Sequence, residues 1–579
     1  MEKWQQQRNG LSKISLAITL VLLSTAEPEL LAAHTTTAAA AEELGPVVRE
    51  DVAPVGDNEQ GAPGALGEAP AGPHDVRIRH RPPVDAKKYR ALKARAVSHP
   101  VAQGAEVVEL GPKPSAPRVA LSFVGLDRPS AANNGNEFFP PDTIVAKSNT
   151  RVLEAVNSAL RLFTTTGGVL QTRDLNTFFG ASLSNGFVFD PKVYFDRSAA
   201  NRRFYVVALQ SDFLSVSRIW LALSRSPDPA SLNAANWCRY NIDGRRNVGT
   251  GDASFADYPG LGVGADALVI STNQFRFFEE TFTFTIVRAF NKLVAANNAS
   301  SCPTIPSFIF QPSNTVGDVT TFTLQPVQHY TSPSSFRGTT NPAYLLSTHY
   351  GSSAIYRVWQ VRNVGGSSPT LCIKNVSGSF TYGLQPDAPQ KNSSLLLDTG
   401  DNRVTQAAGV SNALSGVHGT LCQLGRDANE SCVRVVRIIV GQSESGALTA
   451  RISQQTTFGG GNGVFYFRPG IAVNAREQTA VDFHRSSSST FLSSVWAVKN
   501  HLETARFVSP SALTTGTCPQ ERSNRTGDYI GAQTDPANFT SFWLAGERAT
   551  TIAGECQWQT QIIKVDPQKK ILPSTDLGD

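Results

Sequence analysis

Carboxylates recur at similar points along the chain. Asp142 follows Pro140-Pro141, Asp190 lies in Phe189-Asp190-Pro191, Asp257 in Asp257-Tyr258-Pro259 and Asp528 in Gly527-Asp528-Tyr529, with Asp401 in Asp401-Asn402-Arg403 as a fifth. If these acids converge, they have three uses. They can hold calcium, which takes six to eight oxygen ligands. Two of them can serve as acid and base, because one carboxylate raises the pKa of another beside it. Or each can accept backbone N–H bonds and fix a turn. Repetition favours the turn, since catalysis rarely needs the same group in every copy. Tyr258, Tyr330 and Tyr529 accompany the openings, and His329 precedes Tyr330. Rings there suit stacking on sugars or wedging between sheets. The candidate ligand-binding set is therefore Asp142, Asp190, Asp257, Tyr258, His329, Tyr330, Asp528 and Tyr529. No residue is assigned to catalysis, and calcium is the one cofactor these acids suggest.

Other chemistries lack their residues. His329, His349, His418, His484 and His501 show no HExxH pair or other tight ligand spacing. Gly260-Leu261-Gly262-Val263-Gly264 is followed by strand-like Leu268–Thr272, not by the helix that a nucleotide loop requires. No Gly-x-Ser-x-Gly elbow supports a serine hydrolase. The seven cysteines include no CxxC pair, so a zinc ribbon finds no support. The expected disulfides are Cys422–Cys432, Cys518–Cys556 and Cys238–Cys302, which leaves Cys372 over.

The elements that would position the acids are strands. From Arg118 onward, apolar runs such as Phe204–Leu209 and Ala267–Thr272 alternate with Gly, Pro, Asn and Ser clusters. A loose unit recurs, with a polar opening, a small apolar strand, a turn and further strands. Seven openings fit it: Pro140-Pro141-Asp142, Phe189-Asp190-Pro191, Asp257-Tyr258-Pro259, Gln328-His329-Tyr330, Asp401-Asn402-Arg403, Phe467-Arg468-Pro469 and Gly527-Asp528-Tyr529. The pattern predicts an all-β fold, a β-propeller of seven four-stranded blades, with six or eight the neighbouring counts. Arg118–Phe123 would complete the last blade as its outer strand. A pair of β-sandwiches is the competing architecture.

Pro140–Thr143, Glu154–Ser158, Phe189–Val193, Gly527–Tyr529 and Ser541–Glu547 resemble secreted bacterial β-propeller proteins of unassigned function. The likeness runs from about Arg118 to Val565. It implies the fold and carries no catalytic residue to transfer. More distantly the chain resembles the sialidase-like propellers, although the Ser-x-Asp-x-Gly-x-x-Trp box is absent and Phe467-Arg468-Pro469-Gly470 only echoes an Arg-Ile-Pro element.

The N-terminal part differs. Lys3, Arg8 and Lys13 precede an apolar run from Ile14 to Leu23, the pattern of an export signal over residues 1–33. Residues 34–117 read as a disordered arm with one short helix near Ala86–Ala96. Its charges are sorted, acids from Glu42 to Asp75 and bases from Arg77 to Arg95, and such runs are usually solvated faces. Residues 118–579 form the propeller domain. Charged residues make up only 17% of the chain and the net charge is +5, which excludes a coiled coil and a charged nucleic-acid arm. The reading is a monomer, secreted or held at the cell surface, that binds extracellular glycan or protein, without nucleic acid and without a membrane span once the signal is gone. The alternative is a carbohydrate-active hydrolase or lyase that uses the carboxylates at the channel mouth.

Overall fold

A computed structural model describes residues 42–56, 75–98, 117–133, 135–197, 202–297, 299–312, 315–316, 319–320, 322–329, 342–424, 429–499 and 507–567. The export signal and Tyr330 lie outside these residues. The fold is all-β. Most of its strands make consecutive antiparallel groups of four, and short parallel pairings between first strands join the third, fourth and fifth groups into one continuous sheet. The first is Ile144–Lys147, Arg151–Val156, Ala159–Thr164 and Val169–Asp174. The second is Val188–Asp196, Arg203–Ser211, Ser217–Ser224 and Trp237–Asp243, and the third Ser254–Val263, Ala267–Arg276, Phe282–Asn291 and Ile305–Phe310. The fourth is Gln325–His329, Ala343–Thr348, Ser353–Arg362 and Thr370–Tyr382, and the fifth Gln406–Val410, Ala413–Gln423, Asn429–Gln442 and Leu448–Phe458. The sixth is Phe465–Val473, Thr479–Ser487, Thr490–Lys499 and Ser511–Thr514. The seventh joins Gly531–Thr534, Phe542–Ile552 and Glu555–Asp566 to Arg118–Asp127, with Phe123 opposite Ile562.

Most middle strands are buried on both faces, so they read as continuous apolar runs and not as alternation. In Arg203–Ser211, Phe204, Val206 and Ala208 pack with Leu160 and Leu162 of the first group, while Tyr205, Val207 and Leu209 pack with Leu261 and Ile270 of the third. The seventh group divides in the same way. Phe542, Leu544 and Ile563 meet Trp496 and Val498 of the sixth, and Trp543, Ala545 and Ile562 meet Val145 and Val152 of the first. The core therefore lies between successive sheets. The first strands touch in order, and Gly531–Thr534 lies against Ile144–Lys147.

Three openings carry the same device. Strand pairing slips at Asp190-Pro191, Tyr258-Pro259 and Arg468-Pro469. Asp190, Tyr258 and Arg468 stand at φ of 51°, a region that costs a non-glycine residue about 1–3 kcal/mol. A bulge re-aims one side chain out of the strand alternation, and the proline lacks the N–H that the slip would leave unpaired. The fourth opening departs from expectation. Gln328-His329 ends the strand Gln325–His329 and does not begin it. No Asp marks its true start near Thr323, at φ 48°, so a search for acidic openings passes over it.

The arm, where described, is not a solvated linker. Glu42–Leu44 adds to the outer edge of the fourth group and Val48–Val52 to that of the third, supplying partners to edge strands that would otherwise present bare N–H and C=O groups. Asp75–Arg77 runs parallel to Glu137–Phe139, and a helix spans Ala86–Ser98. Arg81 and Lys93 are buried.

The three disulfides are Cys238–Cys302, Cys422–Cys432 and Cys518–Cys556, with Cys372 a buried thiol. Cys238–Cys302 closes 64 residues between the second and third groups. Replacing both by serine is expected to cost about 3 kcal/mol, read as a lower guanidinium midpoint than wild type under non-reducing conditions. An unchanged midpoint would show that the pair does not form.

Candidate functional site

Residues preceding or beginning the first strands meet at one end of these groups. Asn157 ties the first two together. Its side-chain amide donates to Asp142 Oδ2 at 2.5 Å, and its Oδ1 accepts from the Asp190 backbone N–H at 2.7 Å. Asp142 Oδ1 accepts from the Asp528 backbone N–H, which links the first opening to the last. Lys192 points its Nζ at the Tyr529 ring, 2.7 Å from the centroid, and Tyr529 stands edge-on to Tyr258 with centroids 6.0 Å apart. The Tyr529 hydroxyl donates to the Pro191 carbonyl at 2.8 Å.

Arginines gather the acids of the later groups. Arg403 grips Asp401 with two parallel bonds of 2.7 Å and lies over Tyr258 at 4.5 Å. Arg525 reaches Asp528 at 2.7 Å and Asp398 at 3.1 Å. Arg468 reaches the same two acids at 2.6 and 3.5 Å. Planar guanidinium groups suit such forked contacts.

The N-terminal region adds its own polar groups, with Arg81 and Lys93 as buried cations among them. His80 lies between Asp401, 3.4 Å from its Nε2, and Asp528, 3.7 Å from its Nδ1. Arg81 reaches Glu280 at 2.8 Å and Asp257 at 3.5 Å, and stacks over Phe213 and Phe255. The Tyr89 hydroxyl donates to Asp398 at 3.2 Å. Lys93 contacts Thr399, the Gly400 carbonyl and Asp387 at 2.6, 2.8 and 2.9 Å.

These surroundings split the carboxylates into two sets. Burial, reinforced by the charge of Asp528, raises Asp142 to about 7. Burial raises Asp190 well above the usual range, and Asp257, Asp142 and Asp528 push the same way. Burial also raises Asp257, against the pull of Arg81. Burial would raise Asp528 too, but Arg468 and Arg525 outweigh it and hold the carboxyl well below its usual range. Asp398 and Asp401 follow Asp528: burial is overcome by His80 and Arg468 at the first and by Arg403 at the second. Lys192 is pushed well down by burial. Asp190 Oδ1 and Asp257 Oδ1 are buried without a hydrogen-bond partner among the described residues.

Of the candidate residues, Asp142, Asp190, Asp257, Tyr258, Asp528 and Tyr529 come together, all of them buried. His329 does not. It ends its strand, and its Nε2 meets the Ser411 carbonyl at 3.0 Å in the turn after Gln406–Val410. Tyr330 lies outside the described residues. Among the described residues, no three His, Cys, Asp or Glu side chains form a group able to hold a metal ion. The set read from sequence omitted Lys192, Asp398, Arg403, Arg468 and Arg525. Arg468 had a signal: it fills the position before proline that Asp190 and Tyr258 fill in their own openings.

No protein-family model matches the chain, and neither does any curated protein. Among solved structures the chain is similar to an α-L-arabinofuranosidase of Fusarium graminearum in complex with an iminosugar inhibitor. That likeness has 8% identity and a TM-score of 0.37, over 77% of this chain and 98% of that one. It is also similar to a protein of unknown function from Dyadobacter fermentans, at 10% identity and a TM-score of 0.30, over 77% and 99% of the two chains. A Trypanosoma rangeli sialidase aligns at 8% identity and a TM-score of 0.28, over 73% and 58%.

Proposed function

We propose that the chain is an exported carbohydrate-active hydrolase built on a seven-bladed β-propeller, with Asp190 as proton donor and Asp528 as its ionised counterpart. Seven groups of four strands, first strands in mutual contact and a last sheet completed by Arg118–Asp127 support the ring. The apolar run Ile14–Leu23 and three disulfides support export.

The observation that carries the activity is the divided ionisation of one acid cluster. Glycosidic hydrolysis needs one carboxyl that still holds its proton at working pH and one that has lost it. Asp190 suits the first role. It is pushed up, and its Oδ1 has no protein partner among the described residues to satisfy. Asp528 is held ionised by Arg468 and Arg525. In the reaction the Asp190 proton passes to the leaving glycosidic oxygen as the C–O bond breaks. Water attacks the anomeric carbon, and its proton passes to Asp528. Tyr258 and Tyr529 offer rings beside the acids for a sugar face.

A binding module is the second reading, favoured by one observation: Asp142 accepts a backbone N–H and ties two openings together, which is a structural use of an opening acid. One assay separates the two. The full-length protein and its Arg81→Ala form, which loses the contacts to Glu280 and Asp257, are offered a panel of glycosides and polysaccharides while released reducing ends are followed. Release supports the hydrolase. Saturable glycan binding without release in either form would sink it and leave the module.

A further inference from the structure

Four of the acids described above, Asp257, Asp398, Asp401 and Asp528, are touched by the chain's own residues 75–98, and apart from Val76 and Ile78 in the core the contacts that hold this segment are mostly polar. Asp75–Arg77 pairs with Glu137–Phe139, and the Ile78 N–H continues that pairing to the Phe139 carbonyl at 2.8 Å. After exposed Arg79, His80 and Arg81 enter the cluster, and Pro82-Pro83 leads to the helix Ala86–Ser98. Asn429 holds the last turn of that helix through the Ala96 carbonyl at 2.7 Å. Ile78 and Ala96 are the segment's only buried apolar side chains. Attachment by charge is the reverse of how a core element is normally held, where packed apolar surface dominates.

The charges are complementary in detail. Asp257 is met by Arg81, Glu280 by Arg81 and Arg79, and Asp387 by Lys93, while the His80 ring lies beside Asp401 and Asp528. The body supplies Arg403 to Asp401 and Arg468 and Arg525 to Asp528 and Asp398. Glu280 and Asp387, however, have no cation from the body in contact among the described residues. Removal of the segment therefore leaves an acidic trough flanked by Phe213 and Phe255, the two rings on which Arg81 stacks.

We infer that this trough is a recognition site for a basic, aromatic-bearing peptide whose resident occupant is the chain's own segment Asp75–Ser98, and that occupancy keeps the carboxylate cluster closed. The consequence for catalysis rests on the hydrolase reading; the recognition itself does not. The contacts themselves are buried, so salt acts on the opened state: once the segment lifts, its bases and the trough's acids face water, where their mutual attraction is screened within about 10 Å at 0.1 M, and opening becomes easier.

The test uses the full-length chain. In wild type, amide exchange of residues 75–98 should be slow at 50 mM NaCl and at least tenfold faster at 500 mM, while the central strand Arg203–Ser211 stays protected. The Arg81→Ala/Lys93→Ala form should lose that local protection at low salt. It should also bind a fluorescein-labelled synthetic peptide of residues 75–98 at least tenfold more tightly than wild type, whose site is filled. The same peptide with both substitutions should not bind. The inference falls if residues 75–98 exchange only together with Arg203–Ser211, or if the peptide binds neither form or both alike. Peptide binding to the variant with no sugar released by any form keeps the recognition site and removes the hydrolase. Sugar release with salt-independent protection of residues 75–98 does the reverse.

Discussion

Asp190→Asn and Asp528→Asn are each expected to lower sugar release by about 10²–10⁴-fold, measured in the Arg81→Ala background, yet to part company in stability. Asp190 is buried, raised in pKa, and has an unpartnered Oδ1. Its charged form is costly to the fold, so a neutral amide of the same shape should leave the unfolding free energy at pH 7 unchanged or higher. Asp528 is the reverse case. Its carboxylate gathers Arg468 and Arg525 at 2.6 and 2.7 Å, with His80 close by. Both arginines are buried. Breaking a buried pair by removing one partner costs about 3–5 kcal/mol, because the remaining charge is left uncompensated. Guanidinium unfolding of the two variants beside wild type reads this contrast directly. Equal destabilisation by both would mean that Asp190 is ionised and paired in the fold, and the division of roles would be lost. Full activity in the Asp190→Asn form would remove its assignment as proton donor.

The strands were legible because bounded apolar runs have few other outcomes. Phe204–Leu209, Ala267–Thr272 and the outer strand from Arg118 all lie within strands of the fold. Six of seven openings were placed for the same reason: an Asp or an X-Pro step marks where a bulge or turn begins. The fourth failed because its start carries neither an acid nor a Tyr, only Thr323 and Leu324 ahead of Gln325. The acids of the site were legible as repeated residues, but their ionisation was not. Which carboxylate keeps its proton depends on Arg403, Arg468 and Arg525, brought in from three different openings by tertiary contact. The segment 75–98 was the largest gap. A run of bases with little apolar patterning reads as solvated, since sequence alone shows no acidic trough to receive it. Cys422–Cys432 was readable from its short polar loop and Cys518–Cys556 as a brace of the C-terminal region, whereas nothing in the sequence fixes Cys238–Cys302.

Glu547 sets the last expectation: a fall in stability from pH 5 to pH 9 that Glu547→Gln makes markedly shallower. Glu547 Oε1 accepts the Gly527 N–H at 2.8 Å and lies 3.3 Å from His484 Nε2, with both side chains fully buried. The hydrogens can be placed by elimination. Ser494 donates its hydroxyl proton to the Glu547 carbonyl, so its Oγ is the acceptor for His484 Nδ1 at 3.2 Å. That leaves His484 Nε2 without a proton, facing a Glu547 carboxyl that burial favours in its protonated form. The pair is thus neutral, as burial demands: it lifts Glu547 to about 8 and drops His484 to about 3. Between the unfolded value of 4.5 and about 8, the folded chain keeps a proton that the unfolded chain has lost, so stability declines with rising pH. The decline is on the order of 5 kcal/mol at about 1.4 kcal/mol per pH unit. Asp142, raised to about 7, adds in the same direction. On the acid side the sign reverses. His484 and His418, both lowered to about 3, stay neutral in the fold while the unfolded chain takes up protons below 6.5, so stability is lost as pH falls. The optimum should lie near pH 5–6. A glutamine at 547 keeps the acceptor for Gly527 and offers an amide N–H to His484 without a titrating proton. Its unfolding free energy should match wild type within about 1 kcal/mol at pH 5 and exceed it by several at pH 9. A difference that is the same at both pH values would show that Glu547 carries an ordinary charge in the fold.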